Sequence, residues 1–209
     1  MQTQPPGVDP AANAPAAPAA GATPLVAAIG AAAAALVLAL VPQHEGTMLW
    51  GYRDIGGVVT ACTGHTRYAV LGRRYTPAQC EAWLASDLLR HTQDLRCIQR
   101  PLLAHETAAL LSLAFNVGPG KAGVKDGLCE LKEGGPSTIV RRANAGDMAG
   151  ACAAISDWTY VKGRNCALKE NAFWCGGIVT RRAAERAMCE GRYARQASGP
   201  DAPASGAAP

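Results

Sequence analysis

Residues 22–41 (ATPLVAAIGAAAAALVLALV) are an uncharged run of twenty that stops at Pro42. As a helix, a run of this length spans a hydrocarbon core of roughly 30 Å. In water it must instead be covered by the rest of the fold, so its location decides the architecture around it. Its composition makes it a weak membrane segment. Nine of the twenty residues are Ala, and eight are Leu, Ile or Val; those eight contribute only about −2.4 to −4.8 kcal/mol on an insertion scale, before any penalty for Thr23, Pro24 and Gly30. Three readings compete: a weak and reversible membrane anchor, a cleaved signal peptide, and a buried helix of the soluble domain. No basic residue precedes the run, which counts against a signal peptide and also weakens any assignment of orientation. The anchor is the preferred reading. Residues 1–21 are Ala- and Pro-rich without an apolar face and are expected to be a flexible tail.

Charge is as unevenly placed as hydrophobicity. Residues 1–44 hold no Lys or Arg and one acid, Asp9, whereas from Glu45 onward 20 basic side chains face 15 acidic ones. That mild excess favours anionic polymers or surfaces but is too small to choose among them. With 209 residues and 49% hydrophobic side chains, one compact domain with extensions is expected, and a mainly disordered chain is excluded.

All eight cysteines, at 62, 80, 97, 129, 152, 166, 175 and 189, follow the apolar run, and no C-x-x-C occurs. Zinc-finger and thioredoxin patterns are therefore absent. An even count behind an export-competent segment points to an oxidising compartment and up to four disulfides, with 105 possible pairings. Only Cys166 and Cys175 suggest a local pair, bracketing the polar loop CALKENAFWC; closing so short a loop contributes about 2.5 to 3 kcal/mol in the chain-entropy model.

Beyond the run, a β-rich stretch precedes helices. Residues 52–66 (YRDIGGVVTACTGHT) read as a hairpin with a Gly56-Gly57 turn. Thr76-Pro77-Ala78-Gln79 is a capping box opening a helix of about twenty residues. Further helices are expected over 105–116, 137–145, 147–160 and 180–190, the last with Thr180 as cap. The class is α+β: a mainly helical domain at 42–190 with a small β-hairpin sheet near its N-terminus, preceded by one weakly hydrophobic helix. Residues 191–209 return to tail-like composition.

The candidate chemistry is carboxylate chemistry. The four histidines, at 44, 65, 91 and 105, lack zincin spacing, and neither a phosphate-binding Gly-rich loop nor a nucleophile elbow is present. Glu45 directly follows the apolar run, Asp54 lies nine residues on at the hairpin, and Thr60 six further on its second strand. Glycoside hydrolysis needs a carboxylic acid to protonate the leaving oxygen and a carboxylate to serve a water or the sugar. Two acids nine residues apart are, by themselves, more often solvated bystanders.

The run HEGTMLWGYRDIGGVVTACTGHT, carrying Glu45-x8-Asp54-x5-Thr60, resembles the catalytic signature of the phage-type lysozymes, glycoside hydrolase family 24. The start YTPAQC, FNVG at 115–118, STIVRRANAGDMAGAC at 137–152, Trp158 and GIVTRRAAERAMC at 177–189 fall in the family's order, so the resemblance covers residues 45–190. It implies a lysozyme-like fold and a muramidase cleaving the β-1,4 bond between N-acetylmuramic acid and N-acetylglucosamine. Glu45 would be the general acid, with Asp54 and Thr60 positioning and activating the water. Phe115 and Asn116 would line the saccharide cleft, although a helix-terminal Phe is as readily core. No cofactor or metal is implied, and the chain is expected to act as a monomer on peptidoglycan without a nucleic-acid partner.

The apolar run resembles the signal-anchor-release segment of endolysins. That implies a tethered form at the host inner membrane, on its periplasmic side, and a released form in the periplasm. On simple tethering, removing residues 1–41 leaves an active enzyme. The alternatives are a lytic transglycosylase and a non-catalytic, membrane-tethered wall-binding module. Trp158 is read as packing, His65 is given no catalytic role, and the basic stretch with Arg181, Arg182, Arg186, Arg192 and Arg195 is read as a solvated helix face.

Overall fold

A computed structural model describes residues 22–54 and 57–193. The two expected tails, apart from residues 191–193, and Gly56 of the expected turn lie outside the described residues.

The apolar run is not one helix. Helix α1 (Ala22–Ile29) and helix α2 (Ala31–Glu45) meet at Gly30, whose φ of 82° is a conformation that glycine reaches without a Cβ penalty. Leu25, Ala34, Val37, Leu40 and Val41 are buried in the same cluster as Leu88, Leu110, Leu111 and Leu113. In this conformation one face of the run is packed into the domain, while Val26, Ala31, Ala32, Ala35 and Ala39 stay exposed. Among the described residues no helix is long and apolar enough to cross a membrane. The alanines that weaken lipid partition suit this role, because a small-residue surface lets α2 lie close along helix α4 (Ala104–Val117).

Pro42 does not end α2. The helix runs one turn further, and the Gly46 N–H closes it on the Pro42 carbonyl at 3.0 Å. Glu45 thereby becomes the last residue of a helix whose inner face is buried. The domain boundary expected at residue 42 falls inside this element, and a chain cut there loses one wall of the core.

Strand β1 (Met48–Arg53) pairs antiparallel with β2 (Val59–Cys62), Tyr52 opposite Thr60 and Arg53 opposite Val59. The first strand begins four residues before the expected hairpin. Segment 70–74 crosses β1 at Gly51, whose N–H donates to the Arg73 carbonyl at 2.8 Å. A Cβ at Gly51 would lie 1.9 Å from the Val70 carbonyl oxygen, so only glycine fits there. Ala61, Cys62, Tyr75 and Cys80 form a small second core under the hairpin.

Helix α3 (Pro77–His91) starts at the expected capping box, both arms of which form between Thr76 and Gln79. It ends earlier than expected, continuing as a 3-10 turn, Thr92–Leu95. Helix α4 stops at Gly118 as expected and is the buried axis of the helical part, packed against α2, α3 and α7 (Ala172–Cys189). Helices α5 (Thr138–Asn144) and α6 (Met148–Ala154) are capped by the Ser137 and Asp147 side chains. A 3-10 turn, Ile155–Asp157, follows α6 where the longer helix was expected. A small hairpin of β3 (Tyr160–Val161) and β4 (Arg164–Asn165) leads to α7.

Helix α7 corrects one expectation. It starts at Ala172, eight residues before Thr180, and Thr180 is an exposed mid-helix residue rather than a cap. The helix is irregular at Cys175, a kink beyond which it continues.

All eight cysteines are paired: Cys62–Cys80, Cys97–Cys129, Cys152–Cys189 and Cys166–Cys175. The first ties the hairpin to α3 and the third ties α6 to α7. The last is the expected local pair.

Candidate active site

The candidate acid sits where the buried run ends. Glu45 has a side chain 30% exposed, and its carboxylate accepts a hydrogen bond from Arg181 Nη1 of α7. Arg181 is itself buried. Its Nε donates to Glu185 Oε1 at 3.0 Å and its Nη2 to the Ser112 carbonyl of α4 at 3.2 Å.

Glu185, 0% exposed, also accepts from the Ser112 hydroxyl at 2.7 Å and from Arg182. Arg182, 1% exposed, donates further to Asn116 Oδ1 and, at 3.0 Å, to the Trp158 carbonyl. Burial pushes the Arg182 pKa below the ordinary guanidinium value, and the Glu185 carboxylate opposes that shift. Two guanidinium groups thus face two carboxylates, with the donors of each Arg distributed over several acceptors, which is the condition under which buried charge is tolerated. One of those carboxylates is the candidate acid.

The expectation of a solvated basic face fails here. Arg181 and Arg182 are turned inward because their partners lie on α2 and α4, which sequence spacing along α7 does not reveal. Arg195 lies outside the described residues. One signal was present: Ser112 is the polar residue in the middle of ALLSLAF, and a hydroxyl at a core position requires a partner.

Asp54 and Thr60 are brought together by the hairpin. Asp54 Oδ1 accepts from the Val58 N–H at 2.9 Å, and the Asp54 N–H donates to the Val58 carbonyl at 2.9 Å. The Thr60 hydroxyl lies 3.5 Å from Asp54 Oδ2 and 3.3 Å from the Val58 carbonyl. Both are long for a hydroxyl donor. The carboxylate is thus fixed through one oxygen, while the other is only loosely engaged.

His44, beside the acid, has a pKa held below its ordinary value of 6.5, first by burial and then by the Arg181 charge. Its Nε2 is buried and has no hydrogen-bond partner among the described residues.

The two residues expected to bind saccharide diverge. Asn116 lines a cavity of about 520 Å³ together with Trp158, Tyr160, Ile178 and Arg182. Phe115 lines a smaller polar one of about 230 Å³ with His65, Asp87 and His91, its ring meeting His91 edge-on at 5.4 Å. Neither cavity is lined by Glu45, Asp54 or Thr60. Trp158 packs against the core while bordering the first cavity. His65 is structural: its Nδ1 is 2.8 Å from Asp87 Oδ2, and its ring stacks on Trp83 at 4.3 Å.

Residues 42–185 match the phage lysozyme family model. The chain is 36% identical over 166 residues to a SAR-endolysin of Enterobacteria phage P21, an alignment covering 77% of this chain and 88% of that protein. The endolysin from Escherichia coli O157:H7 phage FAHEc1 superposes with a TM-score of 0.58 at 25% identity, over 74% of this chain and 90% of its own. The active form of the P1 phage endolysin Lyz does so with a TM-score of 0.60 at 22% identity, over 81% and 93%.

Proposed function

The chain belongs to the phage lysozyme family, and from that premise we propose that it cleaves the β-1,4 bond between N-acetylmuramic acid and N-acetylglucosamine in peptidoglycan. Glu45 is the general acid, and Asp54 with Thr60 serves the attacking water. The observation that carries this reading is the anchoring of Glu45, at the end of a helix packed by one face into the core, by a guanidinium whose other donors are held by Glu185 and Ser112. Such a carboxyl keeps its place while its proton moves. The loosely engaged Asp54 Oδ2 beside the Thr60 hydroxyl supports the water-serving role.

In the reaction, Glu45 gives its proton to the glycosidic oxygen as the bond from that oxygen to the anomeric carbon breaks. Water oxygen bonds the anomeric carbon from the opposite face and loses a proton to Asp54. Inversion follows, and it calls for a carboxyl separation of about 6.5 to 9.5 Å.

We further propose that residues 22–41 tether the protein to the inner membrane on its periplasmic side and that release delivers it to the periplasm. The P21 relative being a SAR-endolysin supports this, as does an exclusion argument. Leu25, Val37, Leu40 and Val41 cannot fill the core and lie in a bilayer at once. While the run is in lipid, α2 cannot carry Glu45 to Arg181, so the tethered form lacks its ordered acid.

The test is digestion of purified peptidoglycan by the full oxidised chain and by Glu45→Gln, with the fragments weighed by mass spectrometry. Reducing-end muropeptides from the unmutated protein alone are expected. Anhydro products would replace hydrolysis with a lytic transglycosylase, and absence of cleavage by folded protein would leave a wall-binding module.

A further inference from the structure

Residues 160–175 form a rigid projection that faces outward. Asn165 organises it: its side-chain oxygen accepts from the Ala167 N–H at 3.0 Å and from the Thr159 hydroxyl at 3.3 Å, and its carbonyl accepts from Asn171 Nδ2 at 2.9 Å. The Cys166–Cys175 disulfide closes the loop. This scaffold displays Phe173, 94% exposed, and Trp174, 77% exposed, both in the first turn of α7, and Leu168, five residues before Phe173, is exposed as well. A short loop does not need two aromatic rings in water for its own stability, since its hydrogen bonds and disulfide already hold it.

Charge within the segment is one-sided, although Asp126 and Asp157 border its first residues, Tyr160 and Val161. Lys162, Arg164 and Lys169 are exposed and form no ion pair among the described residues, and Glu170 is the one acid between 160 and 175. Exposed aromatic rings with exposed cations a few residues away in the chain are the composition of an interfacial membrane contact.

Shape decides between lipid and sugar. The two rings stand edge to face, 6.2 Å apart at 89°, so they offer no common flat face for a saccharide. Residues exposed to this degree stand on a convex surface, which cannot enclose a small ligand, whereas a fluid interface closes round a protrusion of any outline. We propose that this loop docks on the anionic surface of a lipid bilayer. Phe173 and Trp174 enter the boundary between headgroups and acyl chains, and Lys162, Arg164 and Lys169 meet the lipid phosphates. The contact is separate from the apolar run and stays available when that run is packed in the core, so a released chain keeps an affinity for the membrane face.

The experiment is vesicle partition of the full oxidised chain at about 0.1 M salt, using phosphatidylcholine alone and phosphatidylcholine with phosphatidylglycerol. Partition should be at least about tenfold stronger on the anionic vesicles. Phe173→Ser with Trp174→Ser should lower it about tenfold or more, and Lys162→Gln with Lys169→Gln about fivefold per cation, with circular dichroism unchanged. In the unmutated protein, vesicles should shift Trp emission to the blue, and Trp174→Phe should remove that change. Partition unaltered in the serine variant would overturn the proposal and assign lipid binding to residues 22–41. Loss of binding to purified sacculi with vesicle partition intact would overturn it in favour of a glycan contact.

Discussion

Arg181 in helix α7 holds the carboxyl of Glu45, 136 residues earlier in the chain at the end of α2. The same guanidinium also bonds Glu185 and the Ser112 carbonyl, so the position of the acid is coupled to the packing of three helices.

Replacing Arg181 separates charge from geometry. Arg181→Gln leaves Glu185 with one cationic partner in the core and is expected to destabilise by about 3 to 5 kcal/mol. Arg181→Lys keeps the charge but not the fork, and is expected to cost less stability while still lowering kcat. Urea unfolding and peptidoglycan turbidity assays on both variants would show it; wild-type kcat in a folded Arg181→Lys protein would mean the fork does not position Glu45.

Asp54 serves both the turn and the proposed water. Asp54→Asn keeps an acceptor for the Val58 N–H, so stability should change by less than about 1 kcal/mol. Loss of the base should nevertheless lower kcat by about 10²- to 10⁴-fold. Thr60→Val should lower kcat by a smaller factor. A kcat that survives Asp54→Asn would point to the transglycosylase, which needs no such carboxylate.

His44 makes stability pH-dependent. Its folded pKa lies below 6.5, so below that pH the unfolded chain takes up the proton more readily than the folded one, and stability rises with pH. The contribution is complete above pH 6.5 and is lost as the pH falls toward the lowered folded value. His44→Gln should flatten that part of the profile in urea unfolding at pH 7, 6 and 5; an unchanged slope would place the titration elsewhere.

Gly30 sets the break between α1 and α2. An Ala there meets no neighbouring atom within 4 Å, but a φ of 82° disfavours any side chain. Gly30→Ala is therefore expected to destabilise the packed form by more than about 1 kcal/mol and to favour one continuous helix, raising the membrane-bound fraction after cell fractionation. An unchanged distribution would separate the break from release.

The disulfides should rank by the loops they close. In the chain-entropy model Cys152–Cys189, separated by 37 residues, contributes roughly 4 kcal/mol, and Cys166–Cys175, separated by 9, roughly 2.5 kcal/mol. Paired Cys→Ser variants compared by thermal denaturation would test the order.

What the sequence made legible was local. The Thr76–Gln79 box announces α3 because both its hydrogen bonds join residues three apart. Ser137 and Asp147 mark helix starts for the same reason, and the Cys166–Cys175 pair follows from its short loop. The Asp54–Thr60 association is also local, fixed by pairing across one hairpin.

What stayed hidden depends on partners distant in the chain. The inward turn of Arg181 and Arg182 is set by Glu45, Ser112 and Asn116, which no periodicity within α7 connects. Helix α7 starts eight residues before Thr180, and its kink falls at Cys175, which is bonded to Cys166 outside the helix. The apolar run was ambiguous for a physical reason: low hydrophobicity and high Ala content suit both a weak anchor and a closely packed core helix.

The bond between α2 and α7 also orders events in time. The ribosome makes Glu45 before Arg181, with all of α4 in between. A nascent chain, a prematurely terminated product or a fragment cleaved before residue 181 contains the acid, the hairpin and the apolar run, yet lacks the guanidinium that holds the acid in place. A copy of the chain that stops before residue 181 therefore carries Glu45 without the side chain that fixes its carboxyl.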